Sequence, residues 1–239
     1  MKVEIIKCLE DNYSYLIIDE KTNNACVVDP SEHEPIINFV EHHNIKLKFI
    51  LNTHHHYDHV GGNKELKKMY GAKVVGFKND KQRIPDIDIL LEDNQIWKYE
   101  NFESKIMHIP GHTTGHICFY FPKNKIVFTG DTLFSLGCGR IFEGTYEQMY
   151  DSLNKLKKLP KDTKIYCGHE YTLKNSLFCS EHDPYNKNLE KKISKIKLQL
   201  KKELPTIPST IDEELACNIF LRAKNLKDFS KLRDLKDNS

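Results

Sequence analysis

The stretch that most constrains this chain is Thr53-His54-His55-His56-Tyr57-Asp58-His59, which follows the apolar run Phe49-Ile50-Leu51. Side chains alternate along an extended strand, so an extended exit from that run points His54 and His56 to one side. Two neutral imidazoles on one side suit a borderline-soft divalent ion such as zinc. Asp58 and His59 come after the chain turns and can face a second position close by. Gly61-Gly62 then lets the backbone turn tightly into a helix-like segment from Asn63 to Met69. A polar loop that is histidine-rich by chance is the bland alternative, but an H-x-H-x-D-H string is far more specific than a lone histidine.

The same kind of side chain recurs further on, always where a strand-like run stops. Ser104–Ile109 alternates and runs into Pro110-Gly111-His112-Thr113-Thr114-Gly115-His116. Ile126–Thr129 runs into Gly130-Asp131, and Lys164–Cys167 into Gly168-His169-Glu170. Ligands in layered α/β folds collect at the carboxyl ends of strands, where glycine permits close backbone approach. Alone, His112 or His169 reads as an ordinary hydrogen-bonded histidine; as members of this set they read as ligands.

Counting donors then sets a stoichiometry. His54, His56 and His112 make one nitrogen-rich site, and Asp58, His59 and His169 make another. Asp131 is left over, and its carboxylate can bridge two ions at the spacing of about 3.5–4 Å usual for such pairs. The expected cofactor is therefore two divalent metal ions, zinc first, with iron or manganese accepted by the same ligands. A water shared by such a pair loses its proton near neutral pH, which supplies a hydrolytic nucleophile without serine or cysteine.

With 239 residues the chain can form one large domain, or a medium one with an appendage. A net charge of +2 argues against nucleic acid as a partner, and no apolar run is long enough to span a membrane. The strand-like start at Met1 to Ile6 shows no signal-type stretch. The 7 cysteines lack CxxC pairs and fit a reducing compartment, so a cytoplasmic location and buried, unpaired thiols are expected. Strands are expected at Val3–Leu9, Ser14–Ile18, Ala25–Val28 and Ala72–Phe77, and a helix opened by Ser31 and Pro35 runs to about His43. Asp29, before Pro30, reads first as a turn residue, with a supporting role beside the metal ligands as the alternative. Asn79–Asp88 reads as a polar loop.

After His169 the pattern is wholly helical. Before it, Thr145 and Gln148 form a capping box for a helix carrying Met149, Leu153, Leu156 and Leu159, stopped by Pro160. Leu189, Ile193, Ile196 and Leu200 follow helical spacing with lysines outside, a solvated face. Thr210 and Glu213 cap a further helix expected to carry Leu215, Ile219 and Phe220. Arg233 and Lys236, three apart, place two cations on one side of a helical turn.

The segments THHHYDH, PGHTTGH, FTGDTLF and YCGHEY together resemble the metallo-β-lactamase superfamily, and within it the glyoxalase II (hydroxyacylglutathione hydrolase) family. The resemblance covers nearly the whole chain. It implies an α/β fold, an αββα sandwich over residues 1–172 forming the catalytic domain, and a helical substrate-binding domain over 173–239. It also implies a binuclear site at the seven ligand positions, and thioester cleavage of S-D-lactoylglutathione to glutathione and D-lactate. Asp58 and Asp131 would be the catalytic carboxylates. The partner implied is a small-molecule glutathione thioester, and the expected state is a monomer. The ending Arg233-x-x-Lys236-Asp237 resembles the family's anchor for the glycine carboxylate, and Tyr171 corresponds to a tyrosine that contacts the peptide. Arg140 stands where many members have lysine. Phe142 stands where some have tyrosine, so one hydroxyl contact is missing. His55, Tyr57 and His108 are given no chemistry, and His116 a packed or supporting role. Rival readings are a glutathione-persulfide dioxygenase of the same fold, a secreted β-lactamase, and a non-catalytic zinc-binding module. The complete second-site set and the appended helices disfavour them.

Overall fold

Strands β1 (Lys2–Cys8), β2 (Asn12–Ile18) and β3 (Asn24–Val28) form an antiparallel meander at the amino terminus. The chain then crosses over through α1 (Glu34–His42) to β4 (Lys46–Leu51), parallel to β3. A single turn, α2 (Tyr57–Val60), and α3 (Asn63–Tyr70) lead to β5 (Lys73–Phe77), and β6 (Ile87–Leu91) closes a six-stranded sheet in sequence order. Strands β7 (Ile96–Tyr99), β8 (Phe102–His108) and β9 (Ile117–Phe121) form a second, antiparallel set. The computed structural model describes all 239 residues, in two units: Met1–His108 with Gly115–Asn124, and Ile109–Thr114 with Lys125–Ser239.

Alternation decides the layering of the first unit. Leu16, Ile18, Ala25, Val27, Ile50 and Val74 project from one face of the six-stranded sheet against Ile36 and Val40 of α1 and Leu66 of α3. Each such leucine, isoleucine or valine, fully buried, stabilises by roughly 1.5–3 kcal/mol. On the opposite face Phe49 meets Trp97 of β7 edge-on, with ring centres 5.1 Å apart. β2 is buried along its whole length, as expected of a strand covered on both faces.

The second unit starts with β10 (Ile126–Gly130), the small hairpin β11 (Leu133–Phe134) and β12 (Gly137–Cys138), and α4 (Tyr146–Leu156). β13 (Lys164–Cys167) lies parallel to β10, and α5 (Thr172–His182) and α6 (Lys187–Lys201) follow. β14 (Ser209–Thr210) pairs antiparallel with β13, before α7 (Ile211–Cys217) and α8 (Leu226–Asp237). The helix starts match their sequence signals. Thr145 and Gln148 make the reciprocal capping box, and the Thr210 side chain accepts the Glu213 amide. An aromatic group of Tyr150, Phe178, Phe220 and Phe229 joins α4, α5 and α8.

Several boundaries differ from expectation. α1 starts at Glu34 rather than at Ser31, with His33 in the N-cap position making no side-chain cap and Pro35 in the first turn, where its missing amide costs nothing. α4 ends at Leu156, leaving Leu159 in the following turn. Ile219 and Phe220 lie beyond α7, where Asn218 leaves helical geometry and its side-chain oxygen accepts the Phe220 amide. The stretch Asn79–Asp88 is not simply polar: it contains a 3-10 turn, buries Asp80 and Ile84, and opens the edge strand β6. All seven cysteines are free and buried, as expected. No helix is long and apolar enough to cross a membrane.

Candidate metal centre

His54, His56, Asp58 and His59 belong to the first unit, on the loop and short helix that leave β4. His54 Nε2 and His56 Nδ1 lie 3.1 Å apart, so the extended exit does turn both rings to one side. Asp29 organises what lies behind them. Its carboxylate accepts the Thr53 amide at 2.8 Å and the Thr53 hydroxyl at 2.6 Å, and lies 3.1 Å from His59 Nδ1. Since the Thr53 hydroxyl donates to Asp29, its oxygen is left to accept from His54 Nδ1, 3.0 Å away. Both His54 and His59 therefore carry their proton on Nδ1, which leaves each Nε2 lone pair for a cation. The ligand-capable atoms of Asp29, His54 and His59 sit within 4.8 Å of one another. Because the Asp29 oxygens are engaged by these donors, its place is behind the ligands. Of the two readings of Asp29 this favours the supporting role: the residue does take the turn, at φ 47°, but its side chain serves the histidines.

Asp58 is tethered by Asn12, whose amide donates to Asp58 Oδ2 at 3.1 Å and to its carbonyl at 3.0 Å. Asp58 Oδ2 lies 3.6 Å from His59 Nε2. Asn52 donates to the His59 carbonyl and exchanges side-chain hydrogen bonds with Asn63, which fixes the start of α3 behind the loop. Gly61 is required by packing rather than by its dihedrals, since a Cβ there would fall 2.4 Å from the Ser31 carbonyl oxygen. His116 is fully buried and stacks on the His54 ring at 4.6 Å, the packed role expected of it. His108 stacks on Phe77. His55 Nδ1 faces the buried Asp80 carboxylate at 3.6 Å, which Arg83 also engages.

The second unit contributes His112, Asp131 and His169. Gly130 adopts φ 46° at the end of β10 and its carbonyl accepts the Gly168 amide at 3.0 Å, so the two strand ends are tied together. Asp131 and His169 follow at once, with Asp131 Oδ2 3.2 Å from His169 Nε2. The same oxygen is 3.6 Å from His112 Nε2. His112 Nδ1 lies 2.8 Å from the Arg140 carbonyl and donates to it, which again frees Nε2. One carboxylate oxygen thus lies within 3.6 Å of the Nε2 atoms of two imidazoles.

Nearby are the residues expected to meet a peptide. Tyr171 stacks parallel on His169, with ring centres 4.7 Å apart. Phe142 is exposed and meets His112 edge-on. Arg140 is exposed, with Nε 3.3 Å from Asp237 Oδ1. The two cations of the last helix are not equivalent. Arg233 is 4% exposed; it donates to the Cys138 carbonyl at 2.8 Å and to Asp237 at 2.9 Å, and lies over Phe220. Lys236 sets its ammonium over the Phe178 ring at 4.9 Å.

The model of the metallo-beta-lactamase superfamily matches residues 10–95 and 99–169, and that of the hydroxyacylglutathione hydrolase C-terminus matches 170–239. A hydroxyacylglutathione hydrolase of Pelagibacter ubique is 68% identical over 238 residues, 100% of both chains. This chain belongs to the hydroxyacylglutathione hydrolase family. A hydroxyacylglutathione hydrolase of Arabidopsis thaliana, named cytoplasmic, is 46% identical over 93% of this chain and 88% of its own length. Among solved structures, ETHE1 from Myxococcus xanthus is similar with a TM-score of 0.75 and 25% identity, over 98% of this chain and 90% of its own. The fold is accordingly the mixed α/β type of the metallo-β-lactamase superfamily, with the family's helical carboxyl-terminal region appended. As in that family, the His/Asp clusters fit divalent metal ions.

Proposed function

We propose that this hydroxyacylglutathione hydrolase family member hydrolyses S-D-lactoylglutathione to glutathione and D-lactate. The observation that carries the reading is full-length identity of 68% to a relative of that name. Support comes from a donor set in which Asp29, Thr53 and the Arg140 carbonyl present imidazole Nε2 lone pairs. The proposed ligands are His54, His56 and His112 for one ion, Asp58, His59 and His169 for the other, and Asp131 for both. Zinc fits these donors, and so do iron and manganese. Bound there, the ions supply Lewis acidity toward the thioester carbonyl and water activation at neutral pH.

The chain's own groups do the rest. Asn12 holds Asp58, which orients the reacting water. Tyr171, Arg140, Arg233 and Lys236 receive the peptide, with residues 173–239 as the substrate-binding part and 1–172 as the catalytic part. The leaving thiolate needs little acid assistance, because a thiol pKa near 8.5 makes it a good leaving group, roughly as for free cysteine. Buried free thiols suit a reducing cytoplasm, and we take the working form to be a monomer. Steady-state assay on S-D-lactoylglutathione, with metal content measured on the same sample, tests the reading. Turnover with about two divalent ions per chain is expected, and near-complete loss in Asp131→Ala. Metal-replete protein that leaves the thioester intact overturns it.

A further inference from the structure

Lys174 lies in the first turn of α5, exposed, with no part in anything described above. It and Phe178 are four residues apart on that helix and so share a face. The ammonium of Lys236, reaching over from α8, sits on the Phe178 ring. Burial lowers the Lys236 pKa, and the neighbouring positive charges of Lys174 and then Arg233 lower it further, against smaller opposing effects of Cys179 and Asp237. The acids of this region are held by other groups: Asp237 by Arg233 and Arg140, and Asp234 by the Tyr146 hydroxyl. Like charges gathered in this way destabilise one another in the free protein, a cost that an arriving anion offsets. Tyr171, three residues before Lys174, lies against His169, so the same helix start spans from the ligand set to the lysines.

We propose that Lys174 is a specificity-determining residue, which together with Lys236 receives the glycine carboxylate of the substrate. The proposal rests on the glutathione-thioester reading above and extends it to a residue outside the family's carboxyl-terminal Arg-x-x-Lys pair.

The test compares wild type, Lys174→Gln, Lys174→Arg and Lys174→Glu on S-D-lactoylglutathione, and on the same thioester with its glycine carboxylate esterified. For Lys174→Gln the KM rises about fivefold at low ionic strength, the upper range for an exposed charge pair, while kcat is unchanged. Lys174→Glu raises KM further, Lys174→Arg restores it, and added salt shrinks the difference. On the esterified substrate wild type and Lys174→Gln have equal KM. An unchanged KM in Lys174→Gln, a loss confined to kcat, or a KM difference that persists on the ester overturns the role of Lys174. Absence of turnover in wild type is seen before any variant is made; it removes the functional reading itself and this inference with it.

Discussion

At Asp29 one buried carboxylate reaches the Thr53 amide, the Thr53 hydroxyl and His59 Nδ1. Through the hydroxyl it also sets the tautomer of His54, so a single side chain fixes the donor atoms of two imidazoles. Outer groups of this kind typically govern metal affinity by about 10–100-fold. Asp29→Asn isolates that role, because asparagine tolerates the positive φ of this position. The amide keeps one acceptor oxygen but turns a donor toward groups that also donate. Metal affinity measured against a competing chelator is expected to fall about 10–100-fold, with the circular dichroism spectrum retained. Unchanged affinity would reduce Asp29 to a turn residue. The proposed ligands stand out in the sequence as a string and at strand ends, whereas a supporting role for Asp29 is there only the weaker of two readings. Its partners are 24 and 30 residues away in sequence, and an Asp-Pro pair reads locally as a turn. Asn12, 46 residues from Asp58, was hidden for the same reason. Arg233 was found by its spacing, but not its burial against Cys138 and Phe220. Its removal would therefore disturb packing along with any anion contact, and Lys236 gives the cleaner test of the anchor.

Among the elements, the β11–β12 hairpin depends on a side chain from α7. Glu214 is fully buried; Oε2 accepts the Leu136 amide at 2.7 Å and the Asn218 amide at 3.0 Å. Its other oxygen pairs with Lys192 of α6 at 2.6 Å. Burial alone would lower the Lys192 pKa, and Glu214, with smaller help from Glu213, more than reverses that. The hairpin leads directly to Arg140, whose carbonyl orients His112, so a helix remote from the histidines positions one of the proposed ligands. Glu214→Ala takes the nearer acceptor from a buried ammonium, leaving it Glu213 at 3.5 Å, and strips the Leu136 amide of its acceptor, a change that costs about 3–5 kcal/mol. At about 2–4 °C per kcal/mol for a protein of this size, thermal unfolding should shift down by roughly 6–20 °C. Replacing both partners, Lys192→Met with Glu214→Leu, should recover much of the loss, since a well-packed apolar pair avoids the unpaired charge. A double variant no more stable than Glu214→Ala would show that the hairpin contact, not the ion pair, dominates. None of this was readable beforehand: Lys192 sits in a lysine-rich helix whose periodicity marks that face as solvated. Strand and helix positions were readable, because the apolar runs of β4 and β10 and the Thr145 and Thr210 caps are local signals. Where a helix stops was less so, as Ile219 and Phe220 continue an apolar pattern past a backbone that has already turned.

At the scale of the whole chain, stability and chemistry rest on different groups. The first unit packs α1 and α3 on its six-stranded sheet through aliphatic side chains. The second joins its helices through Tyr150, Phe178, Phe220 and Phe229. No ligand belongs to either group. Small zinc modules, by contrast, unfold when stripped because the metal replaces a core. Removal of metal by a chelator should therefore abolish turnover while leaving far-ultraviolet circular dichroism at 25 °C, roughly room temperature, unchanged. Ions held at about a thousand times their Kd stabilise by roughly 4 kcal/mol. Their loss should lower the unfolding temperature by about 8–16 °C, and added zinc should restore both temperature and turnover. Collapse of the circular dichroism signal on chelation would make the ions structural and favour a zinc-stabilised module. Turnover that survived complete metal removal would mean that the imidazole and carboxylate sets act without the cations their geometry is arranged to receive.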